Sequence, residues 1–211
     1  MNPGSQILEQ HTFRSRRLRA IGDEAAAFFD RTPVYPLTPK ITALELGVYA
    51  LYYVGKCPYY RHISVVNLKA CILPIYVGKA VPAGWRKGRT RMDSSKSVIG
   101  RLREHENSIA HAGNLDVDDF RCRFVILTGI ETDLIAVLEA VLIRRFHPMW
   151  NTVIDGFGNH TPGAGRFNQA RSEWDVLHPG RPWAARCKGI PPSKQHILAK
   201  IELHRQSLAL P

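Results

Sequence analysis

The chain has 211 residues, 45% of them hydrophobic and 22% charged, which is enough to bury one sizeable core with extensions around it. Lysine and arginine outnumber aspartate and glutamate by 29 to 18, giving a net charge of +11, and such an excess points first to nucleic acid as a polyanionic partner. No apolar run approaches the ~18 residues of a membrane span, residues 1–10 lack the basic and apolar regions of a signal peptide, and Cys57, Cys71, Cys122 and Cys187 form no C-x-x-C pair. These absences predict a cytoplasmic protein with no membrane partner, no structural zinc and reduced cysteines.

Residues 11–22 carry Arg14, Arg16, Arg17 and Arg19 without an acid and lead into a helical run over 23–30. They read equally as a basic arm or as the exposed face of an ordinary helix. Pro33, Pro36 and Pro39 then form a stiff connector. Residues 47–54 are tyrosine, β-branched or small apolar and read as a strand, as do residues 72–77. A helix is predicted over 97–110, with Ser97 as N-cap and Val98, Leu102 and Ile109 on one face. Phe120, Cys122, Phe124 and Ile126 alternate with Arg121 and Arg123, as in a half-buried strand, and Thr132 reads as the cap of an apolar helix that Pro148 stops near Phe146. After Asn151 the glycine-rich chain reads as loops, closed by a helix over 192–208. The order β, β, α, β, α describes an α+β fold, a small antiparallel sheet of about three strands flanked by helices. One domain over 1–211 is expected, with an N-terminal basic arm or helix (1–44), a catalytic core (45–155) and a C-terminal extension (156–211).

Gly47-Val48-Tyr49 and Tyr76-Val77-Gly78 each set a phenol beside a glycine, on successive strands. Alone, such tyrosines are more often packing than chemistry. Tyr53-Val54-Gly55 spells the second motif too, but three residues from Tyr49 leave no room for two strands and a turn. Arg101 and His105, four apart on the predicted helix, share one face; alone they would read as surface residues. Glu139 sits in the most apolar stretch of the chain, 134–143, where a carboxylate needs a metal ion or a cation, such as Arg144 or Arg145, beside it. Asn151 follows that helix. In this order the five elements resemble the GIY-YIG nucleases over about residues 45–155. The twenty-six residues between Tyr49 and Tyr76 are more than the family usually has, so 56–71 look like an insertion.

The resemblance implies a DNA phosphodiesterase whose catalytic residues are Tyr49, Tyr76, Arg101, His105, Glu139 and Asn151. Glu139 would hold one Mg²⁺, with Mn²⁺ as a substitute, and Arg101 would stabilise the transition state. Tyr49 could be the base only if its pKa falls, His105 being the other candidate, while Tyr76 and Asn151 would position water and phosphate. Residues 86–105 hold seven basic residues against Asp93 and Glu104, nearly half the net charge. DNA contacts are therefore expected from Lys79, from Arg86, Lys87, Arg89 and Arg91 around a glycine-rich loop, from Arg16 and Arg17, and from His160 and Arg166. The chain is similar in size to type II restriction endonucleases, and the insertion, the basic loop and the 156–162 segment look most like the branch of them that cuts CCGCGG. That implies a homodimer on double-stranded DNA, products with 5′-phosphate and 3′-hydroxyl ends, a cognate methyltransferase and a bacterial host. A repair-type nuclease selective for DNA structure, and a DNA-binding protein without catalysis, are the alternatives.

Overall fold

The computed structural model describes residues 3–41, 45–82, 97–163 and 167–208. Among them four antiparallel strands, β1 (Tyr35–Pro36), β2 (Gly47–Tyr53), β3 (Tyr76–Ala80) and β4 (Phe120–Ile126), lie in the order β1-β4-β2-β3 with helices around them. This is the expected α+β architecture with one strand more than about three. The addition comes from the proline connector, where Pro36 pairs with Arg121 at the sheet edge, the place a residue without an N–H is tolerated.

Every residue of β2 is buried. The strand lacks hydrophobic alternation because both faces of the sheet are covered. Val48, Ala50 and Tyr52 pack with Val77 and Val125 in one core, closed by the helices α2 (Arg16–Arg31) and α5 (Ile135–Phe146). Tyr49, Leu51 and Tyr53 join a second core with Leu102 and Ile109 of α4 (Val98–Ala110). The same core takes in Trp174, Leu177 and Ile197, so the C-terminal extension shares its interior with the strands.

The basic N-terminal segment is helical and docked. A short helix, α1 (Pro3–Gln10), is followed by α2, which starts earlier than residue 23 because Ser15 caps it by accepting from Leu18 N at 3.1 Å. Ala26 and Phe29 of α2 are buried, a Cβ on Gly22 would come within 3.0 Å of Val141 Cγ2, and Asp30 pairs with Arg145 of α5 at 2.8 Å. Arg16 and Arg17 stay exposed at its first turn.

The 56–71 insertion is folded as well, with α3 (Arg61–Asn67) burying Ile63. Its Asn67 carboxamide accepts from the N–H groups of Ile72 and Leu73 and donates to the carbonyls of Tyr53 and Leu73. Those backbone groups are therefore spent on a side chain, and Pro74 has no N–H to offer, so β3 begins at Tyr76 rather than at 72. Ser97 caps α4 as predicted, accepting from Gly100 N at 3.1 Å. Thr132 does not cap α5: its hydroxyl donates to the Gly129 carbonyl inside a 3-10 turn over Gly129–Leu134, and α5 starts at Ile135. Beyond it come α6 (Met149–Thr152), α7 (Glu173–Leu177) and α8 (Lys194–Ser207), joined mainly by loops. No helix among the described residues is long and apolar enough to cross a membrane.

Candidate active site

Strand register explains both tyrosine motifs. Tyr49 lies opposite Gly78, and Gly47 opposite Ala80. A Cβ on Gly78 would sit 2.5 Å from Tyr49 Oη, so the phenol can cross β3 only above a glycine. At Gly47 the obstacle is backbone, since a Cβ would lie 1.9 Å from the Val125 carbonyl oxygen. Tyr53, the residue of the discarded motif, ends β2 itself; its hydroxyl accepts from Cys57 N at 2.7 Å and serves the insertion.

Tyr49 Oη and His105 Nε2 are 2.7 Å apart, and the two side chains are nearly inaccessible to solvent. Burial pushes the Tyr49 phenol well above its ordinary value, with Tyr76 adding to the effect and Arg101 opposing it. Burial likewise holds His105 well below its ordinary value, helped by the positive fields of Arg101, His160 and Arg181. The pair is thus neutral on both sides at neutral pH. Tyr76 packs edge-on against His105 at 5.0 Å between ring centres, and its own phenol is raised chiefly by burial. Phe157 completes the enclosure, lying almost parallel to His105 at 4.6 Å.

Charged groups rim this neutral centre. Arg101 forms an ion pair with Glu104, and its Nη1 lies 3.0 Å from His160 Nε2. Glu139 is held by Lys79, the residue one position after Gly78 on β3. As the alternative to a metal ion, the sequence offers Arg144 and Arg145 as cations for Glu139. Arg145 instead faces Asp30 across the α2–α5 contact, and the Glu139 side chain keeps 19% exposure instead of being sealed in the apolar helix. Its negative charge adds to the rise in the pKa values of both Tyr49 and Tyr76.

Asn151 occupies the expected end of the constellation, yet both halves of its carboxamide bond to the backbone of Val77, each at 2.8 Å. Its observed work is to tie α6 to the free edge of β3, next to Tyr76. Lys79 and His160, expected as DNA contacts, stand within the rim itself. Arg16 and Arg17 are carried on α2, which packs on the opposite sheet face from α4. Arg86, Lys87, Arg89, Arg91 and Arg166 lie outside the described residues. Sequence reasoning missed Glu104 and Phe157. Glu104, three residues after Arg101, carried a helical-spacing signal; Phe157, between two glycines, carried none.

Among the described residues no three His, Cys, Asp or Glu side chains converge on one point. Glu139 Oε2 faces Lys79, and Oε1 has no hydrogen bond among the described residues. One partly exposed carboxylate is a donor set that suits Mg²⁺, which keeps much of its hydration shell, better than a cation needing a full protein cage. The residues therefore fit the ion.

A family model described as the Eco29kI GIY-YIG domain matches residues 42–205. No curated protein matches the chain.

Proposed function

Because the chain belongs to the GIY-YIG nuclease family, whose Eco29kI domain it matches over most of its length, we propose that it is a type II restriction endonuclease. Its substrate is double-stranded DNA with a GC-rich palindrome, CCGCGG by resemblance. The observation that carries the reading is the meeting, at one edge of the sheet, of a buried Tyr49–His105 pair with Tyr76, Arg101 and the half-buried carboxylate of Glu139. A protein that only bound DNA would have no need of a neutral proton-accepting pair inside a charged rim.

Glu139 would hold one Mg²⁺, which when bound supplies positive charge to the oxygens on phosphorus. Arg101 exchanges Glu104 for the phosphate and stabilises the charge that builds there. Water attacks phosphorus as the bond to the 3′ oxygen breaks, and that oxygen takes a proton from solvent, leaving 5′-phosphate and 3′-hydroxyl ends. The raised pKa of Tyr49 means that a free phenolate is not available at neutral pH. Tyr49 therefore takes the water proton as its own passes to His105 Nε2, 2.7 Å away, whose depressed pKa keeps it neutral and ready to accept. Tyr76, beside both rings, helps orient the water.

One active site per chain cuts one strand, so a palindrome calls for two subunits related by the axis of the site. The enzyme would act as a homodimer in the bacterial cytoplasm alongside a methyltransferase protecting the same sequence. Plasmid cleavage with Mg²⁺ tests the activity: discrete fragments are expected. Nicking of branched DNA alone would favour a repair nuclease, and no product at all a binding protein. Ultracentrifugation with a cognate duplex in Ca²⁺ should give two chains per duplex; one chain at saturation would remove the restriction reading.

A further inference from the structure

The most deeply buried cation in the described structure, Arg181, belongs to none of the roles above. Its side chain is 3% exposed and that of its partner Asp175 1%, the two meeting at 2.6 Å. A buried ion pair of this kind is weak evidence for stability in itself, since desolvation offsets much of the attraction. What is distinctive is where the remaining donors go. Arg181 Nη1 donates to the carbonyls of Phe157, at 3.0 Å, and Asn159, at 3.2 Å, and Nη2 donates to that of Gly156 at 2.9 Å. The guanidinium also lies over the rings of Trp174 and Trp183, at 4.5 and 4.7 Å.

Three carbonyls of one loop, at residues 156, 157 and 159, are therefore held by one planar fork. Lysine, a single point donor, could not reproduce that geometry. Gly156 has φ of +98°, and a Cβ there would fall 2.0 Å from Ser172 Oγ, so the loop enters the clamp through a conformation that favours glycine. The loop then passes directly over the catalytic centre: a Cβ on Gly158 would be 3.0 Å from Tyr76 Oη. Phe157 points inward, stacked on His105 at 4.6 Å and edge-on to Tyr76 at 5.0 Å. His160, three residues on, meets Arg101.

We propose that Arg181 is a positioning residue of the nuclease site, clamping the 156–160 loop so that Phe157 fixes the His105 ring and His160 meets Arg101. The C-terminal extension is then a working part of the active site, acting through the loop and not through contact with the reacting atoms. As a contribution to catalysis the inference rests on the proposed nuclease activity; as a contribution to the geometry of His105 it does not.

Two measurements on Arg181→Lys separate these. The ring current of a stacked phenyl shields the His105 ring protons, so loosening the loop should move their NMR signals downfield. Single-turnover cleavage should slow by about 10-fold or more, the scale on which small misplacements act, while the Kd for duplex DNA in Ca²⁺ changes less than about 2-fold. Phe157→Leu, which leaves the clamp intact, should reproduce both effects and carries the test if Arg181→Lys fails to fold. The Arg181→Met, Asp175→Leu double variant removes the ion pair without stranding a charge, and should fold yet remain slow. Wild-type rates and unshifted His105 signals in the folded variants would overturn the proposal, as would a loss of affinity with the chemical step unchanged. A wild-type protein that does not cleave DNA would sink the nuclease reading, while the NMR signals would still judge the clamp.

Discussion

Among the described residues two hydrogen-bonded tyrosine–histidine pairs lie buried, and only one of them is set up for chemistry. Tyr49 Oη sits 2.7 Å from His105 Nε2, and Tyr60 Oη 2.5 Å from His178 Nε2. In both, burial raises the phenol and lowers the imidazole, His178 to about 3. The difference lies in what surrounds them. Asn114 Nδ2 donates to the Leu177 carbonyl, which turns its Oδ1 toward His178 Nδ1 at 2.8 Å; that nitrogen must carry the proton, and Nε2 can only accept from Tyr60. Trp150 and Trp174 pack against His178 and seal the pair. The Nδ1 atom of His105 has no hydrogen bond among the described residues, and Arg101, Lys79 and Glu139 stand around the pair. A hydrogen bond between phenol and imidazole is thus a structural tie where its proton is locked, and a proton path where charge borders it and the tautomer is left to change.

The comparison breaks at its charged rim first. Glu139→Gln should reduce cleavage by at least about 10³-fold while duplex binding in Ca²⁺ persists, because the carboxylate serves the ion and not the fold. Retained cleavage, measured on plasmid, would remove Glu139 from the site. The phenols come next. Tyr49→Phe should slow the chemical step by about 10²-fold with little change in affinity, the usual scale for losing a proton-transfer group. Tyr60→Phe should leave cleavage intact and cost about 1–3 kcal/mol of stability by stranding His178 Nε2, as urea denaturation would report. Equal rate losses in the two variants would mean that both pairs merely hold the fold.

Stability also depends on pH. His105 and His178 are depressed, and so is His62, to about 4, by burial. Unfolded, each takes up a proton near pH 6.5, so between that value and its folded pKa the unfolded chain binds more protons and stability falls with falling pH. The slope is at most about 1.4 kcal/mol per pH unit for each histidine, and less for half-buried His62. Replacing His178 with Asn should flatten the curve between about pH 6.5 and 3. An unchanged slope would show that His178 is not held neutral by the fold.

Much of this was legible in the residues. Ser97 announced α4, and the spacing of Arg101 and His105 required a shared face, because capping and helical periodicity are local. The two motif glycines could be recognised, but their reason could not: Gly78 is needed because Tyr49 crosses a strand twenty-nine positions away in sequence. Where the expectations failed, a distant group had intervened. Asn67 took the backbone that would have begun β3 early, and Lys79, not Arg144 or Arg145, is the cation that meets the Glu139 carboxylate.

By itself the sequence determined the family, the two strands that carry the tyrosine motifs and the helices α4 and α5, since these rest on local pattern and on motifs read along the chain. Only the tertiary structure decided which cation faces Glu139, that Asn151 holds the edge of β3, and that a loop from the C-terminal extension covers His105. Those contacts join residues far apart in sequence, and spacing along the chain carries no information about which side chain a fold will bring to meet another. The two tyrosine–histidine pairs make the same point: neither Tyr60 nor His178 announces a partner, and what distinguishes them from Tyr49 and His105 is the neighbourhood that folding assembles around each.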